Sequence, residues 1–280
     1  MTTELTIGFS PCPNDTFIFY ALVHGKVSIP DVTFRVIIRD VEELNQLALK
    51  GEVDITKISY HTLGHVLERY CLLRSGGALG RGCGPLLVTK EGKTIDHLMN
   101  KPVAVPGRYT TAYLLLWLYN RELAKNAVFM PFDRIMPAIT DGEVPSGVII
   151  HEGRFTYRQH NLSMIADLGR WWEDETGLPI PLGGIIARRS LGVSLLKNIE
   201  KLIADSIRYA YNHPDEALPY INSLAQELDH NIQKQHIGLY VNDFSIDIGH
   251  EGKEAVRELM KRAMASNLIP ENNKKIICYE

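Results

Sequence analysis

Two stretches of the sequence run through the same succession of a short β-prone segment, a tight turn and a helix-patterned segment. That alternation restricts the fold more than any other feature, because it is the signature of an α/β protein. In the first stretch, residues 5–10 are apolar and β-prone and run into Pro11-Cys12-Pro13-Asn14-Asp15. A helical pattern follows over 16–24, with Asn14 or Asp15 as an acceptor for its first N–H groups and the prolines holding the loop out of the helix. Residues 32–38 alternate as a second strand, 41–50 carry helical spacing that Gly51 stops, and 53–59 return to strand. The second stretch restarts with a strand over 102–105, the loop Pro106-Gly107-Arg108-Tyr109, and an apolar helix over 110–120. Gly51-Glu52-Val53 before a strand has a counterpart in Gly142-Glu143-Val144 before the strand 146–150, so the chain reads as two lobes of similar build.

The 280 residues, 45% hydrophobic and 22% charged, are enough for about two domains and a sizeable core, which excludes disorder. Lys plus Arg number 30 against 33 Asp plus Glu, a net charge of -3 that offers no basic field for nucleic acid. The longest apolar run, 112–119, is far below the ~18 residues of a membrane span, so no membrane partner is expected. The N-terminus goes from Met-Thr-Thr-Glu into a strand with no leader pattern, which predicts a cytoplasmic protein. Cys12, Cys71, Cys83 and Cys278 stand far apart without a Cys-x-x-Cys pair, which argues against a zinc cluster or disulfide framework.

The glycine-rich run 75–84 leads into an apolar strand over 85–88, and Leu182-Gly183-Gly184-Ile185-Ile186-Ala187 follows the second cycle. These are the expected crossovers between a larger, discontinuous lobe of residues 1–89 and 185–280 and a smaller lobe of residues 90–184, with a cleft between them. Beyond Arg188 the chain is mostly helical to Ala263, broken near His213-Pro214, and should pack back on the first lobe.

The glycine run does not match a phosphate cradle: Gly-x-x-x-x-Gly-Lys-Ser/Thr is absent, and the run precedes a strand where a dinucleotide fingerprint follows one. His61-x-x-x-His65 has helical spacing but no Glu after the first His, so a surface or hydrogen-bonded helix histidine is expected there. His151 is placed differently, at the carboxyl end of an apolar strand, where open α/β sheets bind ligands. Imidazole, with an ordinary pKa near ~6.5, suits proton abstraction at neutral pH, although a structural role is the alternative. Glu152 would orient it or be a solvated charge. Thr110-Thr111-Ala112 opens the second-lobe helix, whose free N–H groups favour a carboxylate; Thr110 as a plain N-cap is the simpler reading. Lys57 and Ser59, at the exit of the first lobe's last strand, should face the same crevice, as should Asn14 and Asp15 if they are not only caps. Arg81, Arg108 and Arg154 are further candidates for anion contacts, and Trp171-Trp172 reads as a lobe edge or interface.

Several of these segments together carry a family resemblance: Ser10-Pro11-Cys12-Pro13-Asn14-Asp15-Thr16-Phe17, Ser75-Gly76-Gly77-Ala78-Leu79-Gly80-Arg81-Gly82, Val105-Pro106-Gly107-Arg108-Tyr109-Thr110-Thr111-Ala112, His151-Glu152-Gly153-Arg154-Phe155-Thr156-Tyr157 and Thr176-Gly177-Leu178-Pro179-Ile180-Pro181-Leu182-Gly183. In order over the first 190 residues or so, they resemble the 1,4-dihydroxy-6-naphthoate synthases of the futalosine route to menaquinone. The resemblance implies the two-lobed, type II periplasmic-binding-protein-like fold, each lobe a mixed sheet flanked by helices. It also implies a lyase that converts cyclic dehypoxanthinyl futalosine to the naphthoate and releases a three-carbon fragment, expected to be dihydroxyacetone. It implies no metal and no organic cofactor, a small-molecule carboxylate as substrate, His151 as the general base, and substrate contacts at Lys57-Ile58-Ser59 and Thr111-Ala112. Gly153 departs from relatives that carry Ser there, which puts little in doubt. A homodimer is left open.

Rival readings are a chorismate dehydratase-like sister enzyme, a non-catalytic carboxylate-binding protein and the sensing domain of a transcription regulator. The Ser-Pro-Cys-Pro-Asn-Asp and His-Glu motifs disfavour the first, the missing export signal the second, and a first strand starting near residue 5 the third.

Overall fold

The computed structural model describes residues 2–225 and 229–279. Strand β1 (Thr3–Phe9) buries Leu5, Ile7 and Phe9, the alternate positions that share one face of a pleated strand. The helix α1 (Pro13–Val23) begins at the proline, whose missing N–H costs nothing at a first helical position, with Cys12 as the extended N-cap. The onset is thus three residues earlier than the sequence pattern predicts, and Asn14 and Asp15 lie inside the first turn and do not cap it. The helix is buried on every side from Pro13 to Leu22, between the sheet and the long helix over residues 193–212, so its polar residues need internal partners.

Strand β2 (Val32–Ile38) pairs parallel to β1, Thr3 opposite Val32, and α2 (Val41–Lys50) is capped by Asp40, which accepts from Glu42 N. Gly51, at φ 75°, ends it, and β3 (Ile55–Ser59) pairs parallel to the other edge of β1. Then come α3 (Tyr60–Val66), β4 (Tyr70–Leu72) and β5 (Ala78–Gly80).

The chain next enters a second sheet with β6 (Leu86–Lys90), β7 (Val103–Val105), α4 (Thr111–Tyr119), α5 (Arg121–Ala124), β8 (Ala127–Phe129), α6 (Phe132–Asp141) and β9 (Ser146–Ile149). It continues through α7 (Gly153–Thr156), β10 (Leu162–Asp167) and α8 (Leu168–Thr176), and β11 (Ile180–Arg188) returns it to the first sheet. The remainder is helical: α9 (Val193–Asn212), α10 (Pro214–Leu224), α11 (His230–Tyr240), α12 (Asp243–Ile246) and α13 (Gly249–Ala265).

The internal repeat is present in the topology. The first sheet runs β2-β1-β3-β11-β4, with β5 also on β11, and the second runs β8-β7-β9-β6-β10. In each, the opening strand is flanked by two parallel neighbours, and the crossover strand from the other half of the chain is the antiparallel fourth. The paired Gly-Glu-Val segments are equivalent helix stops. Gly51 N and Glu52 N bond to Ala48 O and Leu47 O, as Gly142 N and Glu143 N bond to Ile139 O and Ala138 O, with both glycines left-handed. Because β6 and β11 each belong whole to one sheet, the chain changes sheet before Leu86 and before Ile180, a few residues ahead of the expected 89/90 and 184/185 boundaries.

One side chain differs from expectation. Trp172 is fully buried, donating Nε1–H to Pro179 O, so it is core and not a lobe edge; Trp171 packs its ring against Tyr119. Of the two alternatives for His61, the structure has the hydrogen-bonded helix histidine: it is buried on α3 with Nε2 3.3 Å from Leu268 O, while Nδ1 has no partner. Among the described residues no helix is long and apolar enough to cross a membrane.

Candidate active site

The carboxyl ends of β1, β3 and β9 and the turn from β7 into α4 converge on one cleft between the sheets, with about 670 Å³ of atom-free space including its mouth. Of the residues singled out in the sequence, Asn14, Asp15, Lys57, Ile58, Ser59, Thr110, Thr111, Ala112 and His151 all line it. The geometry brings them together because parallel strands in a doubled α/β unit deliver their carboxyl ends to the same crevice.

His151 lies just beyond β9 in the left-handed region, at φ 54°. A non-glycine residue held there costs backbone energy, which local packing must offset. The ring is fixed on two sides: Phe132 meets it edge-on at 5.0 Å between centroids, and Cys12 Sγ lies 3.6 Å from Nδ1. Its other nitrogen, Nε2, is buried without a partner. Glu152 does not orient the ring; its Oε2 also lacks a partner, and Nδ1 faces Cys12 instead. Burial, then the nearby Glu152 charge, push the Cys12 thiol well above its ordinary pKa, so it stays protonated and is no nucleophile.

Across the cleft, Lys57 and Asp15 form a buried ion pair, with Nζ donating to Oδ1 at 2.9 Å and to Gly76 O at 3.0 Å. An ammonium has three donors, so one more can reach a ligand. Asp15 Oδ2 accepts from Ser10 N and Oγ, at 3.2 and 2.7 Å, which secures the loop before α1. Ser59 is framed by Asn45: its N–H donates to Oδ1 at 2.9 Å and its Oγ accepts from Nδ2 at 3.2 Å, leaving its hydroxyl proton for a ligand. Ile58 is a core side chain and contributes wall.

Thr110 is the N-cap of α4, its Oγ1 accepting from Tyr113 N at 3.3 Å. The hydroxyl of Thr111 is committed to a bridge between elements: it accepts from Tyr60 N at 2.9 Å and donates to Leu182 O at 2.6 Å. What Thr111 and Ala112 offer a ligand is therefore backbone N–H, which at the first turn of a helix has no intrahelical acceptor and sits at the positive end of the dipole.

The three arginines lie elsewhere. Arg81 pairs with Glu251, Arg108 stacks over the Phe129 ring at 4.9 Å, and Arg154 pairs with Asp167 at 2.6 Å and donates to Gly84 O. Sequence reasoning missed two cleft residues, His236 and Tyr240, which α11 places beside His151. The His236 ring lies parallel to that of His151, 8° between planes and 6.2 Å between centroids. The available signal was the 233, 236, 240 spacing, which puts the buried Gln233, His236 and Tyr240 along one face of the helix. Among the described residues no group of three or more His, Cys, Asp or Glu is placed to hold a metal.

A family model described as menaquinone biosynthesis matches residues 5–265. The chain is 50% identical over 264 residues to a 1,4-dihydroxy-6-naphthoate synthase of Thermus thermophilus, covering 94% of this chain and 95% of that one. It is 48% identical over 273 residues to the synthase of the same name from Streptomyces coelicolor, with 95% of each covered. A solved Archaeoglobus fulgidus protein superimposes with a TM-score of 0.89 at 37% identity, covering 95% of this chain and 98% of that one. The periplasmic aliphatic sulphonate binding protein of Escherichia coli gives 0.67 at 10% identity, covering 99% and 91%, and shows the periplasmic-binding-protein fold alone. With a doubled α/β architecture, a cleft lined by the motif residues, and relatives matched nearly end to end, the chain is an enzyme that belongs to the menaquinone-biosynthesis family of 1,4-dihydroxy-6-naphthoate synthases.

Proposed function

We propose that this enzyme is a carbon–carbon lyase that converts cyclic dehypoxanthinyl futalosine to 1,4-dihydroxy-6-naphthoate, releasing a three-carbon fragment, dihydroxyacetone, with His151 as general base. The observation that carries the reading is the bare, buried Nε2 of an imidazole whose Nδ1 is backed by Cys12, in the cleft onto which the first turn of α4 opens. To act as a base the ring must carry its proton on Nδ1, toward the sulfur, and present the lone pair of Nε2.

The furanose hemiacetal opens at its anomeric carbon, so the ring oxygen stays on the bicycle as a hydroxyl and the three-carbon chain ends in an aldehyde. Nε2 moves a proton from the carbon beside that aldehyde to the aldehyde carbon, which turns the chain end into a ketone. The neutral imidazole then accepts the proton of the bicyclic hydroxyl; as the carbon–carbon bond breaks, that hydroxyl carbon becomes a second ring ketone and the electron pair leaves with the fragment, which is reprotonated to dihydroxyacetone. The remaining 1,4-diketone shifts a proton from the carbon next to each ketone onto its oxygen and so aromatises. Each step is redox-neutral and needs no co-reactant. The third donor of Lys57, the Ser59 hydroxyl and the N–H groups of Thr111 and Ala112 supply donors for the substrate carboxylate and the enolate oxygen. Closure of the cleft excludes water from that enolate.

The test is incubation of the purified protein with the cyclic futalosine derivative, with chorismate in parallel, and detection of naphthoate by mass spectrometry. Naphthoate should form only from the former. His151→Gln should lower kcat by ~10²- to 10⁴-fold while substrate still binds; wild-type turnover in that variant removes the histidine from its role.

A further inference from the structure

We propose that His236 is a second substrate-contacting imidazole, accepting at Nδ1 a hydrogen bond from a sugar-derived hydroxyl and so selecting a hydroxylated ligand. This rests on the lyase reading above and deepens it.

His236 is 1% exposed on α11, and its Nε2 lies 2.9 Å from Asn14 Oδ1. The orientation of that amide is set from its other end: Asn14 Nδ2 donates to Asp15 Oδ1 at 2.9 Å, the same oxygen that takes Lys57 Nζ at 2.9 Å. Oδ1 can only accept, so the imidazole nitrogen facing it carries the proton. A neutral ring has one N–H; the tautomer is thereby fixed and Nδ1 is a bare lone pair. That nitrogen is buried and has no partner in the protein, while the residue lines the cleft. Burial, and then the adjacent His151, hold the pKa of His236 well below the ordinary value, so the ring stays an acceptor even when its neighbour takes a proton.

A buried unpaired acceptor is destabilising unless a ligand satisfies it. A neutral Nδ1 lone pair repels a carboxylate or ketone oxygen and takes an O–H, so it discriminates between the two ends of a substrate that has a carboxylate on one side and hydroxyls on the other. The parallel ring of His151 places that hydroxyl beside the base.

The test compares kcat and KM of wild type, His236→Phe and His236→Asn on the cyclic futalosine derivative and on analogues each lacking one sugar-derived hydroxyl. One analogue should cost wild type roughly 10- to 100-fold in kcat/KM. H236F should lose a similar factor on the parent compound and little more on that analogue, while H236N, which retains an acceptor near Nδ1, keeps more activity. The inference is overturned if H236F matches wild type on the parent, or if every analogue is penalised equally in both. Should H236F not fold, wild-type binding of the panel decides, measured as Kd so that loss of a reacting hydroxyl does not count: no analogue binding more than about threefold more weakly overturns the inference, and a single analogue binding about tenfold or more weakly sustains it. Wild type that fails to turn over the parent compound brings down the lyase reading itself, whereas turnover with the wrong analogue pattern brings down only the role of His236.

Discussion

Cys12 illustrates how a side chain with no reactive role of its own shapes the site. A neutral thiol 3.6 Å from His151 Nδ1 gives this imidazole a soft neighbour on the side away from its bare nitrogen. Cys12→Ala should therefore lower kcat about tenfold with KM nearly unchanged, and Cys12→Ser should recover part of the loss; steady-state kinetics of the two variants checks this. Asp15 is a different case. It is the counter-charge of Lys57 at 3% side-chain exposure, so Asp15→Asn strands an ammonium in the cleft wall. Urea unfolding should show a loss of about 3–5 kcal/mol, and unchanged stability would mean that the pair is dispensable. His151 and the Thr110 cap are legible from sequence because each follows from its place at an element end. The partners of Asn14 and Asp15 are not, since Lys57 and His236 reach them only through tertiary packing.

At the scale of elements, the glycines of the first crossover have a packing reason that composition alone does not reveal. Gly84 meets Gly169, near the start of α8, so closely that a Cβ on Gly84 would fall 2.2 Å from the Gly169 Cα. Backbone cannot yield as a side-chain tip does. Gly84→Ala should destabilise the protein by about 2–4 kcal/mol, seen as a lowered thermal midpoint, whereas Gly82→Ala, with open space around its Cβ but a left-handed φ of 67°, should cost about 1 kcal/mol. The strands and helices of both cycles are visible in sequence because their periodicities differ. The onset of α1 is misjudged because Pro11 and Pro13 look alike there, and only the first precedes the helix. Trp171 and Trp172 are neighbours with opposite surroundings, since helical rotation turns one into the core and the other to a partly open face.

For the molecule as a whole, buried neutral histidines set the response to acid. Burial lowers the His61 pKa to about 4 from an ordinary value of 6.5. Above 6.5 neither the folded nor the unfolded chain protonates this ring, so its effect is nil. Between 6.5 and 4 the unfolded chain binds a proton that the native state refuses, and stability falls as pH falls, by up to about 3 kcal/mol. His236 acts in the same direction. Thermal midpoints should drop from pH 7 to pH 5, and His61→Phe should drop less; parallel curves for the two proteins would show that His61 does not contribute.

The doubled α/β plan, the crossovers and the strand-end position of His151 are legible in the residue order, because they follow from local periodicity and from helix stops at Gly51 and Gly142. Packing alone sets Cys12 behind the His151 ring, engages the arginines elsewhere and brings His236 on α11 onto Asn14. The reason is physical: a periodic pattern specifies which face of an element is buried, but the partner of a buried polar atom is chosen by elements remote in sequence that pack onto that face.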